Sequence, residues 1–141
     1  MLTGTNYAEA LVMEAEIAAA TAAPFVLIVD DEPEIRSLLT DILADKGYRI
    51  DTAVDGVVAL QMVVATPPDL VLLDVDMPRL RGVEALVAIH GLAPATKVIM
   101  ISGKANAQEA RRALAAGAFD YITKPFDLTY LDEAVRIAML S

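Results

Sequence analysis

From Pro24 onward, short apolar runs alternate with segments of helical periodicity, and this alternation constrains the fold more than any other feature of the sequence. The strand candidates begin near Phe25, Arg49, Leu70, Lys97 and Asp120. After the first of them comes an apolar set with the i, i+3, i+4, i+7 spacing of an amphipathic helix: Ile35, Leu38, Leu39 and Ile42. Pro33 suits the first turn of that helix, and Gly47 suits its C-terminal cap. Five strand–helix units in succession predict a parallel sheet covered by helices on both faces.

The predicted strands fall into two classes by hydropathy. Residues 25–29 (FVLIV), 70–73 (LVLL) and 98–101 (VIMI) are apolar throughout, as interior parallel strands are when both faces are buried. Residues 49–53 (RIDTA) and 119–123 (FDYIT) alternate, which indicates edge strands with one face toward water. Three interior strands and two edges favour the strand order 2-1-3-4-5. The predicted fold class is therefore α/β, a five-stranded parallel sheet of the flavodoxin-like type.

Residues 1–23 lie outside this pattern and are predicted to form a helical extension before a domain at residues 24–141. Asn6 followed by Glu9 is typical of a capping box at a helix start. The apolar stripe of this helix comprises Ala8, Leu11, Val12, Ala15, Ala18, Ala19 and Ala22. Such a stripe favours burial against its own domain or another chain, and the alternative is a frayed leader without a function.

Composition excludes several classes of function. The 141-residue chain has a formal net charge of −9 and a pI near 4.4, which argues against nucleic acid or an anionic membrane as a partner. It contains no cysteine, so disulfides and thiolate metal sites are excluded. No apolar segment has the length of a membrane span, and no basic leader resembles a secretory signal, so we expect a cytoplasmic protein.

Acidic residues follow two strands that are neighbours in the predicted order. Asp30 and Asp31 follow the first strand, and Asp74 ends the third. Because ligands of open parallel sheets bind beyond the carboxyl ends of the strands, where strand order reverses, we expect these carboxylates to converge. Mutual repulsion disfavours charging all of them, and clustered carboxylates with a carbonyl and waters are ligands that Mg²⁺ accepts.

The ends of the fourth and fifth strands add groups suited to an anionic ligand. The fourth strand ends at Ser102, next to Gly103, which has no side chain to block access. The fifth strand ends in the sequence Thr123-Lys124-Pro125, which carries an ammonium to the same edge of the sheet. Acids for a metal, a hydroxyl and an ammonium for phosphoryl oxygens, and a carboxylate as nucleophile together predict phosphoryl transfer.

Several segments of the chain occur, in this order and spacing, in one known family. They are VDDEPEIR (29–36), GY (47–48), AVDGVVAL (53–60), PDLVLLDVDMPRLRG (68–82), VIMISG (98–103) and GAFDYITKPFDLTYL (117–131). On these segments, residues 24–140 resemble the CheY-like receiver (REC) domain of two-component response regulators. The resemblance implies a phosphorylated signalling switch that catalyses only its own phosphorylation and dephosphorylation, and not an enzyme with a separate substrate.

The resemblance also implies roles for the acids. Asp74 would be the phosphoacceptor, receiving a phosphoryl group from a phosphohistidine on a histidine kinase or phosphotransfer protein. Asp31, Asp74 and the backbone carbonyl of Asp76 would hold Mg²⁺, and Asp30 would act largely through metal-bound water. We expect Asp76 and Lys104 to form a surface pair that gates the attacking water; the alternative is two solvated charges of little energetic consequence.

A conformational switch is the last implication of the resemblance. Lys124, preceding a cis peptide bond to Pro125, would pair with the phosphoryl group, and Ser102 would hydrogen-bond to it once formed. Tyr121 occupies the position of an aromatic residue whose ring swings inward when Ser102 moves. The readout would be the surface made by the fourth helix (about 107–116), the fifth strand and the fifth helix (about 128–140), called α4-β5-α5 in that family.

The last helix is predicted to have a buried face and a face for partners. The core-facing residues are Leu128, Leu131, Val135 and Ala138. The partly apolar outer face, available to a downstream protein target, comprises Tyr130, Glu133, Ile137 and Leu140. A homodimer through the α4-β5-α5 surface or the N-terminal helix is a further expectation. The sequence leaves open whether the chain is a free-standing receiver or a piece of a longer protein.

Three other functions compete with this interpretation. The segment LVLLDVD (70–76) resembles the first motif of haloacid dehalogenase phosphohydrolases, but Pro78 stands where that family uses Thr or Val, and the metal acids come before the motif. A flavin-binding module needs a hydroxyl- and glycine-rich phosphate loop after the first strand, where DDEP would repel a phosphate. A receiver that has lost phosphorylation is disfavoured because every expected site residue is present.

Overall fold

The computed structural model describes residues 4–77, 79–104 and 106–141, except for the side chains of residues 4, 5 and 18–22. The helices are α1 (Gly4–Ala22), α2 (Pro33–Asp45), α3 (Gly56–Ala65), α4 (Gly82–Leu92), α5 (Ala107–Ala115) and α6 (Leu128–Leu140). The strands are β1 (Phe25–Val29), β2 (Arg49–Ala53), β3 (Leu70–Asp74), β4 (Lys97–Ser102) and β5 (Asp120–Thr123). With the N-terminal helix counted as α1, the predicted readout surface is formed by α5, β5 and α6, and we call it the α5-β5-α6 surface.

The strands form one parallel sheet in the order β2-β1-β3-β4-β5, which confirms the predicted fold. β1 and β3 are buried along their whole length and β4 from its second residue onward, whereas the edge strands β2 and β5 are partly exposed. The register pairs Val29 with Leu73, and Asp74 with Ile101. Because neighbouring strands end at nearly the same level, the residues that follow β1, β3 and β4 meet at one rim of the sheet.

Each face of the sheet has its own apolar core. The strand residues facing α2 and α6 include Val26, Ile28, Leu70, Leu72, Ile99 and Ile101. Those facing α3, α4 and α5 include Leu27, Val29, Leu73, Val98 and Met100. Burial of each such side chain contributes about 1.5–3 kcal/mol to the free energy of unfolding. The two cores therefore hold the strands, and the residues at their carboxyl ends, in place.

Local signals set the helix boundaries. Pro33 is the first residue of α2, and Gly47, with a φ of 90°, follows the end of that helix, both as predicted. The Asp55 carboxylate caps α3 by accepting the Val58 N–H. Asp127 caps α6 by accepting N–H groups of its first turn. Each such cap contributes about 1 kcal/mol and fixes where a helix leaves the rim.

The N-terminal extension is helical, as predicted, but two details differ. The helix already includes Gly4, so Asn6 lies inside it and is not its cap. The described residues of the predicted stripe are exposed: Leu11 and Val12 are 50% and 57% exposed, and Ala8 and Ala15 also face solvent, so the structure does not bury them on their own domain. The side chains of the remaining alanines at 18, 19 and 22, and all of residues 1–3, lie outside the described residues. Burial against another chain therefore stays a prediction.

The last helix follows the prediction except at its first residue. Leu131, Val135 and Ala138 are buried, whereas Leu128 is 47% exposed, so its assignment to the core is wrong. Leu128 begins the helix at the rim, before the helix has reached the sheet, and Ala134 completes the buried stripe. The outer face comprises the exposed Tyr130, Glu133, Ile137 and Leu140, as predicted. Among the described helices, none is both long and apolar enough to cross a bilayer.

Candidate functional site

Four carboxylates meet at the rim where β1 and β3 end. Asp30, Asp31 and Glu32 follow β1, and Asp74 is the last residue of β3. Each offers an oxygen within 4.8 Å of those of the others. Asp30 and Asp74 are 2% and 3% exposed, whereas Asp31 and Glu32 face solvent. The fold thus brings together the three predicted acids, and it adds Glu32.

Asp74 is poorly compensated for a buried carboxylate. The pKa of Asp74 is raised from 3.8 to about 6, chiefly by burial, and the negative charges of Asp30 and Asp76 also raise it. The Asp76 N–H, which donates to Asp74 Oδ1 at 3.0 Å, and the Lys124 ammonium lower the pKa without cancelling the effect of burial. An added cation would stabilise the ionised form that this environment disfavours.

The Lys124 ammonium lies among these acids. Its Nζ is 3.0 Å from Asp30 Oδ2, 3.5 Å from Asp74 Oδ2 and 3.6 Å from Glu32 Oε1. Burial alone would lower the pKa of Lys124, but the hydrogen bond to Asp30 and the charges of Asp74, Asp30 and Glu32 raise it above its ordinary value. The peptide bond from Lys124 to Pro125 is cis, as predicted. The lysine is therefore charged at neutral pH and faces Asp74.

Asp30 is held in place from several sides. Its Oδ1 accepts the Glu32 N–H at 2.8 Å, and its carbonyl accepts a hydrogen bond from the Arg36 guanidinium at 2.8 Å. Its own N–H donates to the Ala53 carbonyl at 3.2 Å. The loop that carries the first three acids is thus ordered by its own hydrogen bonds, independently of any ligand.

The donor set fits a hard divalent cation. All four groups are carboxylates, and Mg²⁺ is held in proteins by carboxylate oxygens together with several waters. The exposed side of the cluster, at Asp31 and Glu32, leaves room for such waters. The direct ligands Asp31 and Asp74, the Asp76 carbonyl and the water-mediated role of Asp30 stay predictions. Glu32 is an additional candidate.

Ser102 ends β4 at the same rim, but its hydroxyl is engaged by its own loop. Oγ donates to the Lys104 carbonyl at 3.0 Å and accepts the Lys104 N–H at 3.1 Å. The side chain is buried, and the Ser102 carbonyl accepts the Lys124 N–H at 2.6 Å, which joins the ends of β4 and β5. Ser102 must therefore change hydrogen-bond partners before it can bind a group on Asp74.

Asp76 has a different partner from the predicted one. Its Oδ2 accepts the Gly103 N–H at 2.7 Å, and within the described part of the chain no ion pair joins it to Lys104. The lysine backbone is tied to Ser102, while both the Asp76 and Lys104 side chains border the same open groove of about 700 Å³. The expected direct pair is therefore wrong in geometry, whereas an effect of the two residues on phosphoryl lifetime stays a prediction.

Tyr121 connects this rim to α5. Its hydroxyl donates to Glu109 Oε1 at 3.1 Å, and the ring is half-buried. Burial raises the pKa of Tyr121, the Ser102 side chain lowers it, and Glu109 raises it further. The ring therefore lies between Ser102 on β4 and Glu109 on α5, and a movement of either residue would displace it.

Sequence reasoning missed three groups at this rim. Glu32 follows Asp30 and Asp31 directly and precedes Pro33, so its position in the sequence already indicates a place near the other acids. Glu109 lies seven positions beyond Ser102 and meets Tyr121 only through the fold. The Gly103 N–H is a backbone group, and the sequence carries no mark of which side chain it will bind.

Comparisons with known proteins agree on one family. Residues 26–136 match the model described as the response regulator receiver domain. The chain is 39% identical over 119 residues to regulatory protein AtoC of Escherichia coli K12, covering 84% of this chain and 26% of AtoC. It is 44% identical over 104 residues to the nitrogen assimilation regulatory protein NtrX of Azorhizobium caulinodans, covering 72% of this chain and 23% of NtrX. The chain thus spans about a quarter of the length of these relatives.

Solved structures give the same result. A CheY-like response regulator receiver domain protein from Methanospirillum hungatei JF-1 superposes with a TM-score of 0.80 at 31% identity, covering 84% of this chain and 94% of the other. The receiver domain of NtrX from Brucella abortus superposes with a TM-score of 0.77 at 38% identity, covering 82% of this chain and 98% of the other.

Proposed function

Because the chain belongs to the response regulator receiver family, we propose that Asp74 accepts a phosphoryl group from a phosphohistidine on a histidine kinase or phosphotransfer protein. The transfer depends on Mg²⁺ held by the surrounding acids. It switches the α5-β5-α6 surface and thereby controls the binding of a downstream protein. The chain modifies its own carboxylate and acts on no separate substrate.

The proposed reaction is a displacement at phosphorus. An Asp74 oxygen attacks, an O–P bond forms and the P–N bond of the phosphohistidine breaks; its electron pair returns to the ring, which leaves as neutral imidazole when its other nitrogen carries a proton. Lys124, with Nζ 3.5 Å from Asp74 Oδ2, offsets negative charge on the transferred group. Bound Mg²⁺ would supply Lewis-acid neutralisation of the phosphoryl oxygens.

The observation that carries this proposal is a buried carboxylate surrounded by one ammonium and three further acids. Asp74 is 3% exposed, carries a raised pKa and lies in the same 4.8 Å cluster as Asp30, Asp31 and Glu32. A purely structural ion pair would need only one acid for Lys124. The excess of carboxylates supports a site that is completed by a cation and used by a phosphoryl group.

The proposed switch runs from Ser102 to the α5-β5-α6 surface. Ser102 exchanges the Lys104 backbone for a phosphoryl oxygen, and Tyr121, in contact with Glu109 of α5, moves with it. The exposed apolar side chains Tyr130, Ile137 and Leu140 offer a surface to a downstream protein or to a second copy of the chain. The exposed helix α1 is a second surface that could carry a homodimer.

Labelling with acetyl phosphate tests the proposal. Wild-type protein with Mg²⁺ should gain the mass of one phosphoryl group, and Asp74→Ala should gain none. Asp51→Ala is the matched control, since Asp51 is an exposed acid on the edge strand β2 and should label like wild type. Equal labelling of wild type and Asp74→Ala would refute the assignment of the phosphoacceptor. A chain lacking residues 1–23 should label normally if residues 24–141 are the complete receiver.

The lifetime of the phosphoryl group tests the proposed modulating residues. Asp76 and Lys104 border one open groove, and Asp76 is hydrogen-bonded to Asp74 through its backbone N–H. Replacing either by Ala should change the rate of phosphoryl loss after the phosphodonor is removed. Unchanged rates in both variants would mean that the two side chains are solvated charges with no role in the reaction.

A further inference from the structure

Asp76 connects the phosphoacceptor to the loop that follows β4. Its backbone N–H donates to Asp74 Oδ1 at 3.0 Å, and its side-chain Oδ2 accepts the Gly103 N–H at 2.7 Å. One residue thus touches Asp74 with its main chain and the loop of Ser102 with its carboxylate. A hydrogen bond to a charged acceptor is stronger than one between neutral groups, so this bond is a substantial restraint on an exposed loop.

The restrained loop is the one that occupies the Ser102 hydroxyl. Ser102 Oγ donates to the Lys104 carbonyl and accepts the Lys104 N–H, at 3.0 and 3.1 Å. Gly103 lies between these two residues, so the bond from its N–H to Asp76 holds the loop in the conformation in which the hydroxyl is used locally. For Ser102 to turn toward Asp74, the backbone of Lys104 must move, and Gly103 must move with it.

A phosphoryl group on Asp74 acts directly on this restraint. It replaces the single negative charge of the Asp74 carboxylate by a phosphoryl group carrying about −1.5 to −2, next to the Asp76 carboxylate. The two residues are already in contact, since the Asp76 N–H donates to Asp74 Oδ1 at 3.0 Å. Greater like charge displaces the Asp76 carboxylate, and the Gly103 N–H loses its acceptor.

We propose that Asp76 is a positioning residue that holds the loop after β4 in its resting form through the Gly103 N–H and releases it by charge repulsion when Asp74 is phosphorylated, which frees Ser102. This inference rests on the proposed function, because phosphorylation of Asp74 is the trigger. It assigns the Asp76 side chain a role in the resting state that is separate from any effect on the attacking water.

Two variants separate the acceptor of this bond from its charge. Asp76→Asn keeps an oxygen acceptor for Gly103 but removes the charge that phosphorylation repels. Asp76→Ala removes both. Glu84→Gln is the matched control, since Glu84 is another exposed acid that borders the same groove. It should behave as wild type.

The measurement is the solvent-exchange rate of the Gly103 amide proton by NMR, with Mg²⁺ present throughout so that its charge is constant, and with and without excess acetyl phosphate. In wild type the exchange should be slow before labelling and about tenfold faster after it, since a bond to a carboxylate is lost. Exchange should be slow in both states of Asp76→Asn and fast in both states of Asp76→Ala.

Intact mass, recorded on the same samples, distinguishes the two ways of failing. A wild-type chain that never gains a phosphoryl group contradicts the proposed function. A chain that is labelled while its Gly103 exchange stays slow contradicts the release alone. Equal exchange in unlabelled wild type and Asp76→Ala contradicts the restraint, and an Asp76→Asn variant that releases Gly103 on labelling contradicts the role of charge.

Discussion

The rim of the sheet and the N-terminal helix are opposite in what they bury and what they expose. At the rim, charged groups are removed from water: Asp30 and Asp74 are buried, and the Lys124 side chain is 16% exposed. On α1, the apolar side chains of Leu11 and Met13 are 50% and 60% exposed. Both arrangements cost free energy, because buried charges need compensation and apolar surface is better removed from water. The ligands proposed above would reduce both costs: a cation and a phosphoryl group at the rim, and a protein surface against the helix.

The largest effect on stability is expected from Lys124→Met at the rim. The substitution removes the ammonium from Asp30 and Asp74 and leaves two buried carboxylates in mutual repulsion. We expect the metal-free protein to lose about 3–5 kcal/mol of unfolding free energy, measured by urea denaturation followed by circular dichroism. Added Mg²⁺ should return part of the loss, since a cation replaces the missing charge.

The matched control for that variant is Lys46→Met. Lys46 Nζ lies 3.8 Å from Asp132 Oδ2, but the two side chains are 50% and 40% exposed, so the loss should be below about 1 kcal/mol. Similar losses at positions 46 and 124 would show that burial does not distinguish the rim from the surface.

The next effect has the opposite sign. Asp74→Asn keeps an acceptor for the Asp76 N–H but removes the buried charge, so the metal-free protein should become more stable at pH 8 by up to about 3 kcal/mol. The pKa of Asp74 is raised from 3.8 to about 6, so the folded state binds the proton more tightly than the unfolded state. Ionisation of wild-type Asp74 therefore lowers stability as pH rises from 3.8 toward 6, and the gain in the variant appears over that range.

Thermal unfolding at a series of pH values measures this gain. Below pH 4 it should vanish, because Asp74 is then protonated in both states of the wild type. The control is Asp51→Asn on β2, an exposed acid that also accepts a backbone N–H, from Thr52 at 2.9 Å, and it should change little. A destabilised Asp74→Asn at pH 8 would mean that the buried charge is compensated within the chain.

The smallest effect is expected on α1. Leu11→Ser should change the unfolding free energy of the dilute protein by less than about 0.5 kcal/mol, because the side chain is exposed. If a second copy covers the helix, the same substitution should lower self-association, which sedimentation velocity measures at rising concentration. A loss of more than about 1 kcal/mol in the dilute protein would mean that α1 is already buried on its own domain.

The fold was predictable because its determinants are local patterns in the chain. Continuously apolar runs mark the interior strands and alternating runs mark the edges, so the strand order and the meeting of Asp30 with Asp74 follow from hydropathy and topology. Local patterns did not give every detail of the helices. Asn6, the predicted cap, lies within a helix that includes Gly4. Leu128 belongs to the core-facing stripe by its spacing, but it stands at the rim and is exposed. Spacing gives the direction of a side chain, not whether a neighbour covers it.

The side-chain roles at the site were predictable only in part. Acids at the strand ends have a sequence signal, because topology brings strand ends together. No sequence signal marks the partner of Asp76, since a carboxylate accepts hydrogen bonds from a lysine or from a backbone amide. The geometry of the loop selects the Gly103 N–H. The engagement of Ser102 by Lys104 likewise depends on the loop conformation.

Borohydride trapping tests the central claim most directly. Borohydride reduces an aspartyl phosphate to homoserine, which peptide mass spectrometry locates in the chain after incubation with acetyl phosphate. We predict homoserine at position 74 alone, formed with Mg²⁺ and lost when the metal is chelated. Homoserine at another aspartate would contradict the assignment of Asp74 as the phosphoacceptor. Equal trapping at position 74 without a divalent cation would contradict the requirement for a bound cation.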